Sequence, residues 1–435
     1  MATSRRRTRY LLAVLASASS PVAAQTATTT PPVQEDRGAE KPAAPAETAP
    51  TTTAAPAQGW SDTISYALQF EGSVAFNPAN PGDHLNFGHE FSDRANRPLF
   101  NQALATIARP VGTGPDWDVG FNLQGLFGTD ARYTPTIGLL DGTFKGRYQV
   151  VLTQANVVVH APVLTSGGID FKIGLAPGAM GFEGTDPATR PLYTLSYITN
   201  FMVPFQTVGV IATAHVNNTL DIYAGIDAGN EVLPGKSDNN GEPAGYLGIG
   251  LNHLLNDRLT ILAMTRIGPE NSLRVFANAN RKQRYWNDIT ATFKASDRTT
   301  LVGEANYIRD DGLDASAFGF AGYVMHKQSD AVTFNMRAEV MRDSQGAFAV
   351  GFGSDTAFTN GIIGKPDIFV VAPPTTYGEI AAGLAWKPTQ LNGKSVAVTI
   401  RPEVRYERSL NGTRPYNQLT DRDQFIFGGD LIVGF

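Results

Sequence analysis

Four charged residues at every second position, Arg401, Glu403, Arg405 and Glu407, offer the clearest chemistry in this 435-residue chain. On an extended strand that spacing puts all four on one face. Alternating signs there set a transverse field that orients and filters small polar solutes, or else they pair and brace a wall. Nothing comparable supports covalent chemistry. The six histidines, His84, His89, His160, His215, His253 and His326, show neither HExxH nor HxH spacing. His84 and His89 share a segment with Asp83, Glu90 and Asp93, which reads as a solvated loop more readily than as a metal site. Gly351-Phe352-Gly353-Ser354-Asp355 lacks the glycine two residues after the serine that a nucleophile elbow requires. Asp310-Asp311-Gly312-Leu313-Asp314 is acidic enough to attract a divalent ion but too short for an EF-hand loop, and no glycine-rich phosphate loop occurs. The expectation is a protein that is not an enzyme, with no catalytic residue, no metal and no cofactor.

Such residues must be positioned by something, and composition narrows what. The chain has no cysteine, 44 Gly, 27 Pro and only 17% charged residues. Disulfide scaffolds, thiol nucleophiles and Cys-ligated metals are excluded. Thirty-five Lys and Arg against 40 Asp and Glu argue against nucleic acid. No apolar run reaches 18 residues, so a hydrocarbon-spanning helix is excluded even though 42% of the residues are hydrophobic. A chain of this kind meets a membrane as a barrel.

The N-terminus reads as an address. Arg5, Arg6, Arg7 and Arg9 form a positive segment, Tyr10 to Ala18 a short apolar one, and Val22-Ala23-Ala24 a small-residue cleavage site. Residues 1–24 are therefore expected to be a secretory signal, leaving 31 basic and 40 acidic residues after cleavage. Residues 25–59 are almost wholly Ala, Pro and Thr, cannot bury a core, and read as an extended periplasmic segment reaching roughly 100 Å. Residues 60–435 form the folded unit.

From Trp60 onward the apolar signal has a period of two. Ile64, Tyr66, Leu68 and Phe70 alternate with Thr63, Ser65, Ala67, Gln69 and Glu71, and Trp117, Val119, Phe121 and Leu123 with Asp118, Gly120, Asn122 and Gln124. The same holds for Ile169 to Leu175, Val332 to Val340 and Val396 to Arg405. A soluble sandwich also alternates, so loop lengths decide. Seven short connections, near residues 109–115, 161–167, 217–218, 253–257, 296–298, 327–330 and 388–393, alternate with eight longer stretches. These longer ones cover 78–98, 128–146, 176–204, 229–242, 268–282, 309–314, 343–373 and 408–420. That regularity predicts an all-β, transmembrane, antiparallel up-and-down barrel of about sixteen strands, with short periplasmic turns and long extracellular loops.

If the apolar faces meet lipid, parity turns Asp170, Lys172, Glu304, Arg337, Glu339, Glu379, Arg401, Glu403, Arg405 and Glu407 inward as pore-lining candidates. A sixteen-strand barrel leaves room for water, and an inward loop would set its constriction. The 176–204 stretch, with Glu183, Asp186 and Arg190, is the leading candidate, and the 343–373 stretch its competitor. Trp117, Tyr148, Tyr223, Tyr285, Trp286, Tyr307, Tyr377, Trp386 and Tyr406 fall near strand ends, where an aromatic girdle would lie. The final strand, with Phe425, Phe427, Leu431 and Val433, ends on Phe435, a terminal aromatic similar to the signal that hands such barrels to their assembly machinery.

Leu99 to Arg109 (LFNQALATIAR) and Asp118 to Ala131 (DVGFNLQGLFGTDA) resemble the putative β-barrel porin-2 family of Gram-negative outer membranes. So do Gly167 to Asp186 (GGIDFKIGLAPGAMGFEGTD) and Tyr193 to Ala214 (YTLSYITNFMVPFQTVGVIATA). The resemblance implies a porin-like channel of the bacterial outer membrane and carries over no solute. The expected function is passive diffusion of small hydrophilic solutes or ions. The expected partners are outer-membrane lipid and the assembly machinery, with a homo-oligomer also compatible. Two rivals remain: a structural or adhesive barrel plugged by its own side chains, and an enzyme built on a barrel.

Overall fold

The computed structural model describes residues 59–435 except 142 and 393–395. The expected signal segment 1–24, and 25–58 of the Ala/Pro/Thr segment, lie outside the described residues. Sixteen antiparallel strands close on themselves. The first eight are β1 (Ser65–Phe76), β2 (Pro98–Arg109), β3 (Asp118–Gly128), β4 (Gln149–Ala161), β5 (Ile169–Pro177), β6 (Gln206–His215), β7 (Leu220–Asn230) and β8 (Ala244–His253). Next come β9 (Leu259–Pro269), β10 (Gln283–Ser296), β11 (Thr299–Asp310), β12 (Ala315–Lys327) and β13 (Val332–Asp343). The circuit ends with β16 (Thr375–Trp386), β17 (Ala397–Ser409) and β18 (Asp423–Gly434). Two three-residue strands, β14 (Val350–Phe352) and β15 (Phe369–Val371), pair only with each other inside the connection from β13 to β16.

Each barrel strand pairs with its neighbours along the chain. The seam pairs β1 with β18, from Gln69 opposite Gly434 to Phe76 opposite Phe427. Phe435 extends it, its N–H donating to the Leu68 carbonyl at 2.8 Å. Closure leaves no edge strand in the barrel, which hydrocarbon demands because no water is present to satisfy one. None of the helices among the described residues is long and apolar enough to cross a membrane.

The alternation read from the sequence sorts the side chains. Leu247, Phe320 and Ile380 point outward and are 62%, 60% and 53% exposed, whereas the inward Glu304, Arg337, Glu379 and Arg405 are buried. An apolar exterior of this extent is a lipid-facing surface. Two expectations need correction. Tyr223, Trp286 and Tyr377 do not belong to an outer girdle, because each shares the parity of an inward neighbour two residues away, Asp221, Asp288 and Glu379 respectively. Trp286 packs inside, its ring 4.7 Å from the Arg266 guanidinium. Trp117, Tyr148, Tyr307, Trp386 and Tyr406 are indeed exposed outside. The connection expected as a longer loop over 309–314 is instead a four-residue turn between Asp310 and Ala315. Arg309 draws it tight by reaching Asp311 at 3.0 Å and Asp314 at 3.2 Å.

Phe320 sits halfway along β12 on the lipid face. Phe320→Arg is expected to cost about 2–4 kcal/mol, and Phe320→Leu far less. Reversible urea unfolding in lipid vesicles measures the difference.

Candidate functional site

The inward face of the barrel meets a segment of its own chain. Residues 178–205, between β5 and β6, fold into the lumen instead of over the rim, and most of their side chains are buried. Local chemistry shapes the segment. The Asp186 carboxylate accepts the Ala188 N–H, opening a short turn that carries Pro187. The Ser196 hydroxyl caps the one-turn helix Tyr197–Phe201 by accepting the Thr199 N–H. Gly319 on β12 lets that turn lie against the wall, since a Cβ there would stand 2.7 Å from Ile198 Cγ1.

A backbone inside a closed lumen still needs partners for its N–H and C=O groups, and charged wall residues supply them. Glu339 accepts the N–H groups of Tyr197 and Ile198, both at 2.7 Å, at the helix N-terminus. Glu403 accepts the N–H of Tyr193 at 2.7 Å and of Thr194 at 3.1 Å, and also the Thr194 hydroxyl. Glu304 accepts the Phe182 N–H at 3.2 Å. On the donor side, Arg405 reaches the Leu195 carbonyl at 2.5 Å. Arg401 reaches the carbonyls of Pro187 and Arg190 at 2.8 and 2.7 Å.

The wall charges are also paired among themselves and with the segment. Arg337 lies between Glu379 of the wall (2.9 Å) and Glu183 of the segment (2.7 Å), and donates to the Thr194 carbonyl. Arg190 of the segment pairs with Glu71 of β1 at 2.9 Å. Arg401 pairs with Asp430, and Arg405 with Glu407 at 2.7 Å. Asp186 lies nearer solvent and accepts from Gln69 at 2.8 Å.

The structure thus brings together eight of the ten inward candidates, Glu304, Arg337, Glu339, Glu379, Arg401, Glu403, Arg405 and Glu407, with Glu183, Asp186 and Arg190. The other two stand apart, on β5 nearer the short-turn end. Asp170 bonds His160 at 2.6 Å and His215 at 3.4 Å, and Lys172 lies opposite Val158 and Ile211 in register.

Above this layer the long loops close inward over the mouth. Phe87, Phe91, Tyr133, Phe205, Phe352, Phe358 and Tyr416 form one buried cluster with Tyr197 and Tyr377. Tyr197 stacks on Tyr377 at 4.8 Å, and Tyr133 meets Phe352 at 5.4 Å. The competitor loop over 343–373 is part of this cap, not of the deeper layer. Its Ala347, Phe348 and Ala349 N–H groups are held by the Asp343 carboxylate. His89 and Asp93, read as members of a solvated loop, are buried. His89 bonds Glu407 at 2.9 Å and Ser92 at 2.7 Å. Asp93 latches the 77–97 loop to the 129–148 loop, taking two bonds from Arg132 at 2.9 and 3.1 Å and one from the Tyr133 hydroxyl at 2.8 Å.

Sequence reasoning set Glu71 on a polar strand face without naming it as pore-lining, and missed Asp288 and Asp430 as inward charges, although strand parity alone would have found all three. It also missed the cap, whose partners are brought together from different loops and carry no local pattern.

A family model described as Putative beta-barrel porin-2, OmpL-like matches residues 63–435. No curated protein matches the chain. Among similar solved structures is an anion-selective porin from Comamonas acidovorans, with a TM-score of 0.50 at 10% identity, covering 86% of this chain and 99% of that one. Another is OprB of Pseudomonas putida at high pH, with a TM-score of 0.49 at 12% identity, covering 86% and 94%. A third is OmpF of Salmonella typhi in complex with daunomycin, with a TM-score of 0.49 at 11% identity, covering 86% and 97%. At 10% identity the likeness to the first of these is one of fold.

Two outcomes follow from the geometry. Arg337→Met strands the buried Glu183 and Glu379 carboxylates, at a cost of about 3–5 kcal/mol. Hydrogen exchange should place the loss in residues 178–205 while the barrel strands stay protected. Burial alone would raise the Asp93 carboxyl, but Arg132 and Arg94 outweigh it and hold it below the usual carboxylate range. The unfolded chain therefore takes up a proton near its ordinary value of about 4 where the native latch does not. The latch is at full strength above that pH and weakens as pH falls through the lower native value. Exchange of residues 129–137 should accelerate in acid, and Asp93→Asn should show the fast exchange already at neutral pH.

Proposed function

We propose that this chain, which belongs to the Putative beta-barrel porin-2, OmpL-like family, is an outer-membrane channel through which small hydrophilic solutes or ions diffuse passively. The observation that carries the reading is the family match, which spans the whole barrel from residue 63 to residue 435. Diffusion needs a polar lining and a narrowing but no catalytic group. The ten inward charges serve as the lining. The 178–205 segment serves as the narrowing, with Glu183, Asp186 and Arg190 setting which solutes approach the charged wall. The barrel works in the bacterial outer membrane, its apolar exterior in contact with lipid.

One observation favours a second reading, a barrel held shut by its own loops. The wall charges are spent on the inward segment, and an aromatic cap is buried over them. In the first reading the cap and segment move enough to admit solute; in the second they do not.

Single-channel recording of the refolded barrel in a planar bilayer separates the two. Steps of constant size are expected. Replacing residues 194–201 by a flexible Gly/Ser stretch should enlarge the steps severalfold, and Arg401→Glu should change ion selectivity. Absence of steps from protein shown to be inserted, with steps appearing once 194–201 are replaced, would establish the closed barrel.

A further inference from the structure

Carboxylates outnumber cations two to one inside this barrel. Among the described residues, eighteen Asp and Glu side chains are buried, against nine Arg and no Lys. Many of the acids are balanced by the arginines and loop N–H groups described above. Two are not. Glu90, in the 77–97 loop, and Glu231, which opens the 231–243 loop, are 0% and 1% exposed, and all four of their carboxylate oxygens are buried without a hydrogen-bond partner. The backbone fixes Glu231 in place: it has φ 61°, its N–H donates to the Gln206 carbonyl, and its own carbonyl accepts from Ile137.

Other carboxylates stand near these two, and no arginine bonds either of them. Burial pushes both carboxyls well above the ordinary range, and nearby acids add to it, Asp93 and Asp130 at Glu90 and Glu90 and Glu270 at Glu231. An ionised carboxylate taken out of water without a partner costs several kcal/mol, and two that repel each other cost more. Oxygen ligands of this kind suit hard inorganic cations, and a strongly acidic interior lowers the barrier for a cation while raising it for an anion.

We infer that the mouth of this barrel binds small inorganic cations at Glu90 and Glu231 and passes them in preference to anions. The passage half of this inference rests on the channel reading above; the binding half does not. Glu90→Gln/Glu231→Gln keeps both shapes and removes the repulsion, so the variant should fold. Under a KCl gradient the wild-type reversal potential should carry the sign of cation preference. The double variant should still conduct, with a potassium-to-chloride permeability ratio reduced severalfold. Anion preference in the wild type, or an unchanged ratio in the variant, overturns the inference while leaving the channel reading intact. If no current flows, the channel reading and the passage half fall, and terbium decides the binding half. Tyrosine-sensitised luminescence of the folded wild type should titrate one high-affinity equivalent that the double variant lacks, and equal titration of the two proteins overturns the site.

Discussion

A peptide backbone cannot lie inside a closed barrel unless something there answers its N–H and C=O groups, and in this molecule the answer comes from ionised side chains. Residues 178–205 have little secondary structure of their own beyond one turn of helix and a short turn at Pro187. Glu339, Glu403 and Glu304 stand in for carbonyls, and Arg401 and Arg405 stand in for amides. Each of these charges would be costly if left alone in the interior. The wall therefore pairs its arginines, with Arg337 shared between Glu379 and Glu183 and Arg401 held by Asp430, while Glu304, Glu339 and Glu403 are answered by N–H groups of the segment. The position of the segment and the charge pattern of the strands are two sides of one requirement.

That requirement explains what the sequence made legible and what it hid. A strand has a period of two whatever lies beyond its ends. Parity alone therefore turned Glu304, Arg337, Glu379 and Arg401 inward, and the spacing of turn residues yielded sixteen strands and the two kinds of connection. Applied consistently, the same parity would have moved Tyr377, two residues before Glu379, and Trp286, two before Asp288, to the inside. Their aromatic character suggested an outer girdle, and on these strands parity overrides residue type. The destination of a loop has no such periodic trace. The Asp93–Arg132 latch joins residues 39 apart, and Glu183–Arg337 joins residues 154 apart. Neither partner announces the other. The short 311–314 turn was hidden for a related reason, because its acidic residues resemble a solvated loop until Arg309 is seen to draw them in.

The two ends of the barrel are built on different chemistry. At the long-loop end the interior is buried, aromatic and rich in carboxylates. Near the short-turn end His160, Asp170, His215 and Asp221 join β4 to β7 as a chain of bonds, beside Lys172, Thr213 and Tyr223. The histidines and Lys172 thus stand apart, along the barrel axis, from the layer in which arginines and carboxylates hold the inward segment.

The seam between β1 and β18 joins the first and last strands of the chain, and every other junction is made between barrel strands consecutive in the chain, β13 and β16 being separated only by the β14–β15 loop pair. It therefore has the greatest chain separation and the largest loop-closure cost of any pairing in the fold. The inward segment crosses that joint from within. Gln69 and Glu71 of β1 bind Asp186 and Arg190, while Arg401 of β17, next to β18, holds the carbonyls of Pro187 and Arg190. Those bonds can form only when both flanks of the seam stand side by side. Filling the lumen and sealing the cylinder are therefore one cooperative event in assembly, and the segment that narrows the finished barrel is also the internal clasp that rewards the chain for closing.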